Sequence, residues 1–253
     1  MRGERELLYT ITGPSGSGKS TLVRLLLEGY PERFRKVVTS TTRKPRRGEQ
    51  DGIDYHFEPL PEGGFDAWKS YHTASAEFDG NFYGIGTADY DGLFGGNTDS
   101  IVILEPSGAR EMKSLFPDDV RTVYVRIGAA RAARHMKKRH SRYKKRQKAD
   151  IGAGLFDENG YDYVLNNDED IYSLIRRFLD LLPDVQIAAL SESIDSVMFD
   201  IRSSGGRVFR EPVRSVDEKS IFFVADIPDS LKDSFKMDSR IISIGPVEYF
   251  SPS

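Results

Sequence analysis

The 253-residue chain contains no cysteine and only four histidines. The absence of cysteine excludes disulfides, thiolate nucleophiles and cysteine-bearing zinc sites together. None of the histidines has the H-E-x-x-H spacing of zinc hydrolases, so that class is not expected. No run of about 18 apolar residues occurs, which argues against a membrane-spanning helix. The remaining composition, with 38% hydrophobic and 30% charged residues, is that of an ordinary globular protein.

The first six residues, M-R-G-E-R-E, alternate in charge and run directly into a strand-like segment. They lack the apolar core of about 7–15 residues that a signal peptide requires. A cytoplasmic location is therefore the expectation, with no membrane partner.

One segment departs strongly from the near-neutral balance of the chain, whose net charge is −3. From Arg131 to Lys148 there are ten lysines or arginines and no acid. Such a block either faces solvent or binds an anion, and charge alone does not choose among a nucleotide, a nucleic acid and a membrane surface. A nucleic-acid partner is not favoured, because aromatic residues for base stacking are scarce there beyond Tyr143.

The order of the elements predicts an α/β fold. Residues 6–12 form a strand-like run that ends at a glycine and is followed by a leucine-rich helix. The short apolar runs at 100–105 and 122–127 are typical of a parallel sheet covered on both faces. A helix is expected from residue 129 to about 143, and an apolar stripe at helical spacing marks another that ends at Leu182.

The pattern of apolar and polar residues changes after Pro183. Apolar and polar residues then alternate as in short strands. We therefore expect a main domain over residues 1–184 and a small, mainly β (α+β) C-terminal module over residues 185–253. The module carries no recognisable chemistry, and dimerisation or covering of the main site are its candidate roles.

Gly13 to Ser20 read G-P-S-G-S-G-K-S, which fits the phosphate-loop pattern G-x-x-x-x-G-K-[ST] between a strand and a helix. The glycines let successive N–H groups point inward, and the helix N-terminus adds partial positive charge. Lys19 is expected to bridge the β- and γ-phosphates, and the Ser20 hydroxyl to bind Mg²⁺. The predicted ATP site comprises Ser15, Gly16, Ser17, Gly18, Lys19, Ser20 and Thr21.

A second polar cluster follows, T-S-T-T-R-K-P-R-R-G-E-Q-D-G-I-D-Y-H-F over residues 39–57. Arginine forks bind phosphate bidentately, so Arg43 and Arg46 are expected to clamp a monoester phosphate, with Tyr55 donating its hydroxyl. Further on, the segment E-F-D-G-N-F-Y-G offers another donor, Tyr83, beside a tight turn.

These segments closely resemble the guanylate kinase family, with its phosphate loop, its T-T-R-x-P-R-x-G-E-x-x-G-x-D-Y-x-F signature and its G-N-Y-Y-G loop. The resemblance extends from about Leu7 to Leu182 and implies a P-loop NTPase-type parallel sheet flanked by helices, with an acceptor-binding insertion at about 36–98 and a lid at about 131–150. It implies ATP and a nucleoside monophosphate as substrates and Mg²⁺ as cofactor. The roles that it assigns fall on Thr39, Arg43, Arg46, Tyr55 and Tyr83 for the acceptor and on Asn167 for the adenine of ATP.

The resemblance also gives the basic block a use. Family members close a mobile lid whose arginines contact the transferring phosphoryl group, and Arg139, Arg142 and Arg146 stand where those arginines belong. With Lys19 and Arg43 they form the predicted catalytic set. Since charge develops on the equatorial oxygens during transfer, positioned cations supply most of the catalysis and no general base is obligatory.

The sequence departs from the family pattern at the positions that hydrogen-bond the guanine base. The glutamate that accepts from the guanine edge is replaced by Ala74, and the Ser or Thr that follows the Y-G pair is Ile85. The usual L-E-x-D-x-Q-G stretch is shortened to residues 104–108. A site built to hydrogen-bond a base edge rejects the wrong base by about 10⁴, so these losses bear directly on base selection.

Three polar side chains remain for the altered region. Thr39 stays as a base contact, and Glu77 is the acid that a shifted strand register would bring in, although strand alternation places it opposite Ala74. Glu105 is assigned to Mg²⁺-bound water. The acceptor is therefore (d)GMP or a related nucleotide, with a different or modified base as one alternative and a catalytically silent scaffold domain as another.

Overall fold

In a computed structural model, the described residues are 6–31, 33–94, 98–138, 143–168, 171–182, 185–186, 207–214, 220–225 and 241–244. The chain divides into two compact units, one of residues 1–23 and 31–168 and the other of residues 24–30 and 169–253. The division near residue 184 that the sequence suggests stays a prediction.

The first unit contains nine strands, with bounds β1 Leu8–Thr12, β2 Phe34–Lys36, β3 Ser40–Thr41, β4 His56–Phe57, β5 His72–Phe78, β6 Asn81–Gly86, β7 Asp99–Ile103, β8 Val120–Arg126 and β9 Tyr163–Asn166 among the described residues. Helix α1 (Lys19–Gly29) begins in this unit, and the helices that follow are α2 Gly64–Lys69, α3 Thr87–Asp91, α4 Pro106–Leu115, α5 Ala129–Lys138 and α6 Tyr143–Gly152.

The main sheet has the order β2-β7-β1-β8-β9, and all its pairings are parallel. Strand β1, L-Y-T-I-T, is fully buried between β7 and β8. A parallel sheet covered on both faces favours such continuous β-branched and apolar runs. This confirms the predicted α/β fold with a parallel sheet.

A smaller sheet of order β4-β3-β6-β5 lies in the segment predicted to bind the acceptor. Strands β5 and β6 form an antiparallel hairpin whose register shifts between Thr73 and Ala76. At this bulge Ala74 adopts a φ of 55°, a left-handed conformation that costs a non-glycine residue about 1 kcal/mol or more. The bulge turns Ala74 into the hydrophobic core, where Leu104 and Met112 are also buried.

The lid segment forms two helices where the sequence predicted one from 129 to about 143. Helix α5 ends at Lys138 and α6 begins at Tyr143, and residues 139–142 lie outside the described part. Helix α6 ends in a Schellman motif: Gly154 has a φ of 68°, and the Leu155 N–H donates to the Asp150 carbonyl at 2.9 Å.

The second unit contains the end of α1, helix α7 (Ile171–Leu179) and a four-stranded sheet. The sheet has the order β10-β13-β12-β11, with bounds β10 Val185–Gln186, β11 Arg207–Arg214, β12 Ser220–Ala225 and β13 Ile241–Ile244. None of the helices in the described residues is long and apolar enough to cross a membrane.

Candidate active site

The phosphate loop leaves β1 at Gly13, whose φ is 145°. A Cβ at this position would collide with the Val125 carbonyl oxygen of the neighbouring strand β8. Gly16 and Gly18 also have positive φ, at 83° and 100°. Only glycine adopts these angles without strain, so the loop conformation explains why the motif has glycine at these three positions.

Lys19 folds back over the loop. Its Nζ donates to the Gly13 carbonyl at 2.5 Å and to the Pro14 carbonyl at 3.0 Å. These contacts hold the ammonium beside the start of the loop, where the sequence predicted a phosphate-binding cation.

Asn167 ties the end of strand β9 to the same loop. It is buried, and its Nδ2 donates to the Ser17 carbonyl at 2.7 Å. Its Oδ1 is also buried and has no hydrogen-bond partner among the described residues. A buried amide oxygen without a donor is costly.

The predicted acceptor cluster is organised around Arg43. Its guanidinium pairs with Glu49 and lies over the ring of Tyr55, with Cζ 5.2 Å from the ring centroid. Burial lowers the pKa of Arg43, but the hydrogen bond and charge of Glu49 raise it on balance. Burial and the neighbouring Tyr83 raise the pKa of Tyr55, which keeps this phenol protonated as a donor.

One cleft of the first unit joins the phosphate loop to the acceptor cluster. The predicted site residues that line it are Ser15, Gly16, Lys19, Ser20, Thr39, Arg43, Arg46, Tyr55, Tyr83 and Glu105. Within the described part of the chain, four predicted ATP-binding residues do not line it: Ser17, Gly18, Thr21 and Asn167. Glu77 is exposed and outside this lining, whereas Ala76 and Phe78, its neighbours on β5, line the cleft.

The geometry agrees with the comparison with known proteins. The family model described as Guanylate kinase matches residues 5–181. The chain belongs to the guanylate kinase family. The predicted family and enzyme class, an ATP-dependent nucleoside monophosphate kinase, are thereby confirmed.

Individual relatives align over most of their length. The guanylate kinase of Chlamydia felis is 30% identical over 175 residues, which cover 64% of this chain and 80% of that protein. The guanylate kinase of Desulfitobacterium hafniense is 33% identical over 174 residues, covering 67% and 86%. The crystal structure of guanylate kinase from Anaplasma phagocytophilum has a TM-score of 0.53 at 24% identity, covering 70% of this chain and 85% of that one, and it supports the fold.

The sequence predicted an altered base pocket at Ala74 and Ile85, and this stays a prediction. Ala74 lines the cleft with Ile103 and Leu104, while Ile85 is fully buried in the adjoining core cluster. Helix α4 packs directly on this wall, because a Cβ at Gly108 would stand 2.6 Å from the Ala74 carbonyl oxygen. Among the described residues, the only acid in the lining is Glu105.

Metal-binding capacity is modest among the described residues, where no group of three or more His, Cys, Asp or Glu could hold a metal ion. Ser20 and Glu105 both line the cleft, as does Lys19. Mg²⁺ usually needs only one or two protein oxygens, since waters and substrate phosphates supply the rest. The donor set therefore fits a magnesium ion that arrives with a nucleotide.

The lid arginines are only partly placed. Arg139 and Arg142 lie outside the described residues, and Arg146 lies in α6, where its side chain also lies outside them. Two lid residues that the sequence analysis did not single out contact the phosphate loop: His135 of α5 and Asp150 of α6. A sequence signal for Asp150 existed, because it is the first acid after the ten-cation run.

Proposed function

We propose that the protein transfers the γ-phosphoryl group of ATP to the 5′-monophosphate of (d)GMP or a closely related nucleotide, giving ADP and the nucleoside diphosphate. The observation that carries this proposal is the common cleft. It places Lys19 and Ser20 of the phosphate loop and Arg43, Arg46 and Tyr55 of the acceptor cluster on one lining. Sites for a donor triphosphate and an acceptor monophosphate facing one cleft favour direct transfer between them.

Transfer proceeds in line between the two phosphates. Lys19 neutralises charge on the donor, while Arg43 and Arg46 orient the acceptor oxygen for attack. Arg139, Arg142 and Arg146 complete the set when the lid closes over the equatorial oxygens, where charge develops. Lid closure also excludes water, which would otherwise hydrolyse ATP.

Mg²⁺ fits this reaction through Ser20 and Glu105. When bound, it neutralises the phosphate oxygens of ATP and draws charge away from the leaving group. On the donor side, the buried Oδ1 of Asn167 supports a contact with the adenine amino group, since its Nδ2 is already engaged by Ser17.

The identity of the acceptor base is the second half of the proposal. Thr39 and Glu105 line the same cleft as the apolar residues Ala74, Ile103 and Leu104. Glu77 is exposed on β5, so a contribution from it needs a different register. An apolar wall selects weakly against a different or modified base, because few buried polar groups are left unpaired by it.

A silent binding domain is the remaining alternative. Guanylate kinase-like scaffold domains usually have a degraded phosphate loop, whereas here the motif through Lys19 and Ser20 is intact. The positive-φ glycines of the loop and the paired Arg43 support the enzyme. A cytoplasmic setting, a homodimer and a role for residues 185–253 remain predictions beside it.

The test is ATP consumption with each ribo- and deoxyribonucleoside monophosphate in turn. We expect turnover that depends on the acceptor, with GMP or dGMP among the substrates, and its loss in Lys19→Ala with the fold intact by circular dichroism. A preference for a non-guanine base would replace the base assignment only. Absence of turnover with every monophosphate would exclude the kinase proposal and favour the binding domain.

A further inference from the structure

Both helices of the lid segment are attached to the phosphate loop, at two consecutive residues. His135 of α5 places its Nδ1 2.9 Å from the Gly16 carbonyl oxygen. A Cβ on Gly16 would stand 3.0 Å from the Ala132 carbonyl oxygen, so α5 also packs tightly there. Helix α6 contacts the preceding residue, Ser15, through Asp150.

The contact between Asp150 and Ser15 is bidentate. One carboxylate oxygen of Asp150 accepts from the Ser15 backbone N–H at 2.9 Å, and the other accepts from the Ser15 hydroxyl at 2.9 Å. Asp150 is only 1% exposed. A buried carboxylate is costly unless hydrogen bonds compensate it, and two charge-assisted bonds to one residue also fix its direction.

The position of Asp150 within α6 is not explained by helix stability. It lies in the last turn of the helix, two residues before Gly152. The partial negative charge at a helix C-terminus disfavours a carboxylate at this place. The compensation must come from outside the helix, and Ser15 supplies it.

Asp150 also has a fixed relation to a predicted lid arginine. Arg146 precedes it by four residues in the same helix, so the two positions share one face, one turn apart. Docking Asp150 on Ser15 therefore brings the helix position of Arg146 to the phosphate loop. Ser15 itself lines the cleft where transfer is proposed.

We infer that Asp150 is a positioning residue, which anchors α6 to the phosphate loop and so sets Arg146 over the transferring phosphoryl group. This inference rests on the proposed kinase function. The Asp150 carboxylate acts through the geometry of its two hydrogen bonds and does not react.

The test compares Asp150→Ala, which removes both acceptors, with Asp150→Asn. Asparagine rebuilds the pair, because its Oδ1 accepts from the Ser15 N–H and its Nδ2 donates to the hydroxyl oxygen. We expect Asp150→Ala to lower kcat by about 100-fold and to change KM for ATP by less than about threefold, while Asp150→Asn keeps kcat within about fivefold. The exposed Asp157→Ala, seven residues along, is the matched control and is expected to match wild type.

A double-mutant cycle with Arg146→Ala separates positioning from a purely structural role. If Asp150 acts through Arg146, Asp150→Ala lowers kcat in the Arg146→Ala background by less than about twofold. If the double variant instead lost kcat by the product of the two single-variant losses, the inference would be overturned. A wild-type kcat in Asp150→Ala would also overturn it. Tighter ATP binding in both Asp150 variants would also overturn it, since the carboxylate would then be competing with phosphate.

Ser15→Ala tests the same contact from the phosphate-loop side. If Asp150→Ala does not fold, Ser15→Ala takes its place, because it removes one of the two hydrogen bonds and adds no bulk. We expect kcat of Ser15→Ala to fall by about tenfold. In the Arg146→Ala background the same substitution should lower kcat by much less. Wild-type protein that turns over no monophosphate overturns the kinase proposal and this inference together. Wild-type turnover with an unaffected Asp150→Ala overturns the inference alone.

Discussion

Arg43, which lines the cleft, forms an ion pair with Glu49, with a hydrogen bond from Nη2 to Oε1 at 3.0 Å and with Nη1 2.9 Å from Oε2. Glu49 also accepts from the Arg46 backbone N–H at 2.7 Å. Burial raises the pKa of Glu49, but the hydrogen bonds from Arg43 and Arg46 lower it on balance. A charged carboxylate therefore holds the guanidinium in place before an acceptor arrives.

Replacing Glu49 with glutamine should weaken acceptor binding more than transfer. The amide keeps a single oxygen acceptor and loses the negative charge that pairs with Arg43, so the guanidinium samples other orientations before the phosphate binds. We expect KM for the acceptor to rise by about tenfold and kcat to change by less than about threefold, because preorganisation mainly reduces the cost of binding. Steady-state kinetics with varied acceptor measure both values.

Glu28→Gln is the control for this substitution. Glu28 forms an exposed i,i+4 pair with Arg24 on α1, and loss of such a pair costs about 0.5 kcal/mol at most. An equal rise in KM for the acceptor in the control, or none in Glu49→Gln, would contradict the positioning of Arg43.

Asp162 should make stability depend on pH in the acid range. It accepts from the Thr122 N–H at 2.8 Å and pairs with Lys113 at 3.0 Å. Burial raises the pKa of Asp162, but these partners lower it on balance. A carboxyl with a lowered folded-state pKa stabilises the protein above its unfolded pKa of about 3.9, and that contribution is lost as the pH falls through the folded pKa.

The measurement is urea unfolding of wild type and Asp162→Asn at neutral and acid pH. We expect the variant to be less stable at pH 7 and the difference to shrink as the pH falls below about 4. Asp91→Asn, a change of an exposed carboxylate at the end of α3, should track wild type throughout. A difference that stays constant with pH would refute the assignment to Asp162.

Asn167 supports a prediction on the donor side. Replacement by alanine removes the bond to the Ser17 carbonyl and leaves that buried oxygen without its donor, at a cost of about 1–3 kcal/mol. We expect both a lower midpoint of thermal unfolding and a raised KM for ATP, with KM for the acceptor unchanged. A raised KM for the acceptor instead would remove Asn167 from the proposed adenine contact.

The parts of the site that could be predicted are those whose residues stand close together in the sequence. Gly13 to Ser20 carry their loop conformation in their own glycines, and Arg43, Arg46 and Tyr55 stand within one signature. The contact between Ser15 and Asp150 joins residues 135 positions apart, and no local pattern encodes it. The φ of 55° at Ala74 was likewise unpredictable, because tertiary packing on α4 overrides the preference of alanine.

That packing can be tested through Gly108, which lies inside α4. Alanine is ordinarily better than glycine in a helix by about 1 kcal/mol, so propensity alone predicts stabilisation. The close approach predicts the opposite: the new Cβ would stand 2.6 Å from the Ala74 carbonyl oxygen, which is backbone and cannot move by itself. Overpacking of this kind costs about 1–3 kcal/mol.

We therefore expect Gly108→Ala to lower the free energy of unfolding and, since Ala74 lines the cleft, to raise KM for the acceptor. Gly152→Ala is the matched control, because nothing lies within 4 Å of a Cβ at that last residue of α6, and it should be neutral or stabilising. Urea unfolding decides the sign. Stabilisation by both substitutions would mean that α4 is free to move away from Ala74, and the proposed base end of the cleft would then be open to a larger acceptor than its present wall allows.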